Sequence, residues 1–163
     1  MTTFRAIGLG VSVLAYGLYL GAIAAKAQTP PAEPPRERIE WCDVWHTDAD
    51  KYDRPRVLFI GDSITQGYFG EVEQLLGDKA YCSRYTTSRS IGDPVYFQEL
   101  KLVLSQYKYS VIHFNHGLHG WGYTEAQYAE AFDKLLHMLQ AEGKEARLIW
   151  AATTPIVPNS AGE

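Results

Sequence analysis

No phosphate-cradling glycine loop, dinucleotide fingerprint or Cys/His set at zinc spacing occurs in these 163 residues. The sequence therefore offers no reason to expect a nucleotide, a resident metal or any other cofactor. Basic charge is scarce as well, with 15 Lys and Arg against 19 Asp and Glu and a net charge of −4. Arg5 and Lys26 are the only charged residues before residue 28, so the remainder is more acidic still. Such a chain lacks the electrostatic footprint that nucleic acid or an anionic membrane surface would require. Cysteine is down to Cys42 and Cys82. An oxidising compartment would allow them to join. Cys82, however, sits in a β-like run where a free thiol is a common small hydrophobe, so both readings stay open.

One long apolar stretch is present. Residues 6–25 carry no charge, Arg5 precedes them, and Ala25-Lys26-Ala27 places small residues two apart. That is the form of a signal peptide over residues 1–27, and it predicts export to the periplasm or beyond. The stretch is also just long enough to span a bilayer, so a retained anchor is the alternative. Gly8, Gly10, Gly17, Gly21 and the cleavage motif favour removal.

Residues 28–40 (QTPPAEPPRERIE) are polar and proline-rich. They read as an extended linker, and residues 41–54 as a lead-in whose two tryptophans pack on the domain. From residue 55 to 163 the pattern is that of a folded domain. Arg56–Ile60 is an apolar run ending at Gly61 and reads as a buried strand. A helix is expected over Tyr68–Leu76, with Val72, Leu75 and Leu76 on its inner side. Ala80–Tyr85 forms a second strand. Asp93-Pro94 opens a helix reaching about Tyr107, with Phe97, Leu100, Val103 and Leu104 inward. Ser110–Phe114 is a third strand. Thr124 and Gln127 make a capping box before Tyr128, Phe132, Leu135, Leu136 and Leu139, and Gly143 ends that helix. Arg147–Ala152 is a fourth strand.

Strands alternating with helices predict an α/β fold of three layers, a parallel sheet covered on both faces. Ligands of such folds bind beyond the carboxyl ends of the strands. Polar residues stand at those ends: Asp62 and Ser63, the Thr86–Gly92 stretch, Asn115-His116-Gly117, then Thr153 and Thr154. Ser63 is the candidate nucleophile, because a serine at a strand-to-helix turn meets unpaired N–H groups and the positive end of the helix. Asp62 and Ser63 are also ordinary helix caps. His116, His119 and Trp121, in the loop after Asn115, are candidate substrate contacts. Tyr68, Phe69 and Tyr123 are expected beside Trp121 at an aromatic mouth. His113, His116 and His119 recur every third residue, but a strand-to-loop segment does not turn such side chains to one side, so a metal site is not expected. Asp43-x-x-His46 lies ahead of the first strand and reads as packing. His137 reads as solvated.

At Gly61-Asp62-Ser63-Ile64-Thr65 the chain resembles the SGNH hydrolases, the GDSL-like esterases and lipases. The resemblance covers about residues 55–155. It implies a flavodoxin-like sheet, Ser63 as the nucleophile, and an oxyanion held by the Asn115 amide and the Gly92 N–H. The usual Gly-x-Asn-Asp block is matched at Asn115 alone, since His113 and His116 occupy its flanking positions. The family's Asp-x-x-His, which supplies the general base, does not follow the fourth strand before Glu163. That departure predicts a fragment lacking the family's fifth strand and last helix, inactive by itself and exposing a sheet edge. The resemblance thus implies hydrolysis of small acyl esters or O-acetylated carbohydrate. The alternative is a non-catalytic descendant that binds a glycan or a partner in the same crevice. A membrane enters only if residues 1–27 are retained.

Overall fold

The structure, a computed structural model, describes residues 33–153. The expected signal peptide lies outside the described residues, as does Thr154. No described helix is long and apolar enough to cross a membrane.

The lead-in is part of the sheet, which corrects its reading as a packing segment. Cys42–His46 forms strand β1. It is followed by β2 (Arg56–Gly61), helix α1 (Ser63–Leu76), β3 (Tyr81–Thr87), α2 (Pro94–Gln106), β4 (Val111–Phe114), α3 (Glu125–Glu142) and β5 (Arg147–Trp150). The described fold is mixed α/β, with a five-stranded sheet in the order β1-β3-β2-β4-β5. Every pairing is parallel except that of β1, which runs antiparallel along β3. The lead-in, not a strand after β5, therefore supplies the fifth strand seen here. Of the two tryptophans, Trp41 is half-buried and Trp45 is exposed, with Arg84 above its ring.

β2 sits centrally and is buried on both sides, which is why its sequence is an unbroken apolar run. Leu58 and Ile60 face one side with Tyr85, Ile112 and Phe114. There they meet Leu100 and Val103 of α2 and Leu135 and Leu139 of α3. Phe59 and Cys82 face the other side against Phe69 of α1. Helices thus cover both faces.

Asp93 caps α2 through Val95 N–H at 2.8 Å, and the Thr124–Gln127 capping box opens α3. The helix α1 begins five residues before the expected Tyr68. Asp62 caps it, accepting from Ile64 N–H at 2.9 Å, and Gly67 and Gly70 are carried inside it. Glycine costs a helix interior about 1 kcal/mol, a deficit that burying Phe69 and Thr65 offsets. The inward positions of α1 are Thr65, Phe69, Val72 and Leu76, while Leu75 is 77% exposed rather than inward. Phe69 packs edge-on against Phe59, so it and the half-buried Tyr68 belong to the core side of α1, not to a mouth.

Cys42 and Cys82 are both free thiols. Cys42 pairs with Thr87, five residues along β3 from Cys82. At about 3.3 Å per residue this separates them by roughly 16 Å, far beyond the reach of a disulfide.

Candidate active site at the carboxyl ends of the strands

The order of the strands determines where a crevice opens. From β2 the chain passes through α1 to β3 on one side. It then crosses back through α2 to β4 on the other side and continues outward through α3 to β5. The connections leave β2 and β4 in opposite directions, so the gap beyond their carboxyl ends is the topological switch point of the sheet. Ser63 follows β2 and Asn115 follows β4.

The two segments are joined closely. Asn115 N–H donates to the Ile60 carbonyl at 2.9 Å. Between them stands Gly61, where a Cβ would lie 2.0 Å from Thr65 Oγ1 and 2.7 Å from the Asn115 carbonyl oxygen. Only a glycine permits that approach. Ser63 is the first residue of α1 and is exposed. Asp62 is buried, with Oδ1 capping the helix and Oδ2 bonded to nothing. Asn115 is 6% exposed, and its Nδ2 donates to the Ala152 carbonyl at 3.3 Å, leaving its second amide hydrogen uncommitted. Ser63 and Asn115 are thus brought to one rim by adjacent strands.

The remaining candidates divide. Gly92 is half-buried, and its N–H donates to Ser90 Oγ at 3.1 Å within its own loop. The Tyr123 ring packs so closely on it that a Cβ would lie 2.5 Å from Cε1. The N–H expected to hold an oxyanion is therefore already engaged. His116 is 2% exposed and faces inward, its ring 5.1 Å from that of Tyr96. Burial, then the charge of His119, push its imidazole down to about 3, so it is a neutral core histidine rather than a surface contact. His113 is half-buried between Phe59 and Tyr68, and burial lowers its pKa as well.

The Asp43–His46 pair serves β1 instead. His46 Nδ1 meets Ser83 Oγ at 2.9 Å near the amino end of β3, the opposite rim from Ser63, and Asp43 pairs with Arg84 at 2.6 Å. Among the described residues no group of three His, Cys, Asp or Glu side chains is arranged to hold a metal ion.

His119 and Trp121 line a cavity of about 340 Å³ with Ser90, Tyr123, Tyr128 and Thr153. Trp121 is 66% exposed. Gly120 turns the loop between them at φ +127°, and a Cβ there would lie 2.9 Å from Ser90 Oγ. Beneath the loop, Tyr128 Oη donates to the His116 carbonyl.

Sequence reasoning missed one contributor altogether. The described part of the proline-rich stretch does not lead away from the domain; residues 33–41 lie along this rim. Glu37 Oε1 accepts from His119 Nδ1 at 2.9 Å. Arg36 bridges Glu40 and Asp93 at 2.8 and 3.1 Å, and Arg89 joins Glu40, Asp93 and Glu99. Trp41 exchanges hydrogen bonds with Thr87 and Ser88. The alternating acids and arginines of PPRERIE were the available signal, though nothing local names partners so far along the chain. Compared with family models and with curated proteins, the chain matches none.

Proposed function

We propose that this protein is a serine ester hydrolase with an SGNH-type fold, exported by its N-terminal segment and acting on small acyl esters or O-acetylated carbohydrate. The observation that carries the reading is the pairing of an exposed Ser63 at the start of α1 with Asn115 across the switch point. In this reading Ser63 Oγ attacks the acyl carbonyl carbon while its proton passes to a base. The oxyanion is held by the Ser63 N–H at the helix terminus and by the uncommitted Asn115 amide hydrogen. Collapse breaks the ester C–O bond and the alcohol leaves with the proton. Water then attacks the acyl-Ser63 carbonyl, releasing the acid and restoring the hydroxyl. Gly92 adds its N–H only if Ser90 Oγ releases it. The base implied by the resemblance, the histidine of a C-terminal Asp-x-x-His, is not among the described residues.

The engaged Gly92 N–H favours one second reading, a non-catalytic descendant that binds in the same crevice. Turnover of an acetyl ester by the full-length gene product separates the two. Esterase action requires Ser63→Ala to lower kcat by at least about 10³-fold. Equal turnover in both forms refutes the role of Ser63, and no turnover in either favours the binding protein.

A further inference from the structure

The 340 Å³ cavity is distinct from the residues expected to do chemistry. It is lined by neither Ser63, Gly92 nor Asn115, although it opens at the same rim. A group held there is remote from the reacting carbonyl. Its size lies at the low end of the about 300–1,000 Å³ typical of small-ligand sites, enough for one ring and not for a long chain. Among the described residues no lysine or arginine lines it, and Glu125 does, so an anionic ligand would meet no counter-charge from them. Ser90, Thr124, Tyr128 and Thr153 bring hydroxyls to its wall, those of Ser90, Thr124 and Tyr128 already engaged with Gly92, Gln127 and the His116 carbonyl. Trp121 offers an exposed flat face.

Two lining residues, moreover, carry buried polar atoms bonded to nothing, His119 Nε2 and Tyr123 Oη. His119 is well fixed. Glu37 accepts from Nδ1, and Trp41 stands edge-on to the ring with centroids 6.4 Å apart. With Nδ1 engaged by Glu37, Nε2 is the ring nitrogen left to meet a ligand hydroxyl.

We infer that this cavity binds a single neutral sugar ring, stacked on Trp121 and hydrogen-bonded through a hydroxyl to His119 Nε2, with Glu37 as the positioning residue. The inference rests on the proposed esterase reading for its meaning: the cavity then takes the alcohol part of a sugar ester, and the acyl group lies at Ser63.

The test is binding of non-ester probes to the full-length protein, by saturation-transfer NMR and calorimetry. The probes are xylose, glucose, N-acetylglucosamine, choline and butyrate. At least one pyranose should bind, and bind equally to Ser63→Ala. Trp121→Ala should weaken it roughly tenfold with an unchanged melt, since the ring is exposed and supports no core. Glu37→Gln should weaken it several-fold while Glu37→Asp restores part of the loss. Failure of every pyranose to bind, binding of choline or butyrate alone, or sugar affinity unmoved by both Trp121→Ala and Glu37→Gln overturns the inference. Ser63-dependent hydrolysis without sugar binding removes this inference alone. Sugar binding with no Ser63-dependent hydrolysis removes the esterase reading and leaves a sugar-binding site.

Discussion

Adding one methyl group at Gly61 tests the geometry of the rim directly. A Cβ there falls 2.0 Å from Thr65 Oγ1 and 2.7 Å from the Asn115 carbonyl oxygen. The first obstacle is a side chain, yet it cannot swing away easily. Thr65 is fully buried and its hydroxyl meets Tyr68 Oη at 3.2 Å. The second obstacle is backbone, held by the Asn115 N–H bond to Ile60. Overpacking of this kind costs typically about 1–3 kcal/mol, and a clash on two sides places Gly61→Ala near the upper end. For a domain of this size 1 kcal/mol moves Tm by about 4 °C, so the melt should fall by roughly 10 °C. Gly67 and Gly70 are the internal controls. Both lie in α1 with nothing within 4 Å of a Cβ, so alanine at either should raise stability by about 0.5–1 kcal/mol. Thermal and urea melts of the three variants, followed by circular dichroism, give the comparison. If the rim is catalytic, Gly61→Ala also lowers turnover more than unfolding explains, because it spreads β2 from β4 beside Ser63. A Gly61→Ala protein as stable as the parent would refute the close approach and with it the alignment of Ser63 and Asn115.

Other variants probe other parts of the same rim. Asn115→Ala removes the bond to the exposed Ala152 carbonyl at a cost of about 1 kcal/mol, but an oxyanion role predicts a fall in kcat of about 10²–10³-fold; kinetics beside a urea melt separates the two. His116 has a pKa pushed down from 6.5 to about 3 in the fold, so below pH 6.5 the unfolded chain takes up a proton that the folded chain refuses. Stability is therefore complete above pH 6.5 and declines toward pH 3, by about 2 kcal/mol at pH 5. A His116→Gln variant should show a flatter profile over that window, and parallel profiles would contradict the burial. Finally, a maleimide should label Cys42 in the native protein, slowly because burial first and Glu99 second push its thiol up to about 11, and Cys82 only after unfolding. Mass spectrometry showing a Cys42–Cys82 bond would contradict the register of β1 on β3.

Periodicity and capping made much of this fold legible from the chain alone. α3 was readable because Thr124, Gln127 and Gly143 are local signals and its apolar residues recur at helical spacing. β2 was readable because a strand buried on both faces must be apolar throughout. The position of Ser63 and Asn115 at the carboxyl ends of two strands followed from the same alternation, while the pairing of those strands as neighbours came from the sheet order. What failed was whatever depended on a partner far along the chain. Leu75 and Phe69 are equally apolar, but only the sheet decides which of them turns inward. The glycines in α1 masked its start, because a local cost gives no hint of the burial that offsets it.

The sequence by itself determined the element types, the central buried strand and the serine at its end, since each rests on interactions within a few residues. Only the tertiary structure decided that residues 42–46 join the sheet, that Glu37 reaches His119, that Ser90 engages the Gly92 N–H, and that His116 faces the core. The first two need segments far apart in the chain brought together by strand order. The last two turn on the conformations of two loops, whose energies are set by the surfaces they meet.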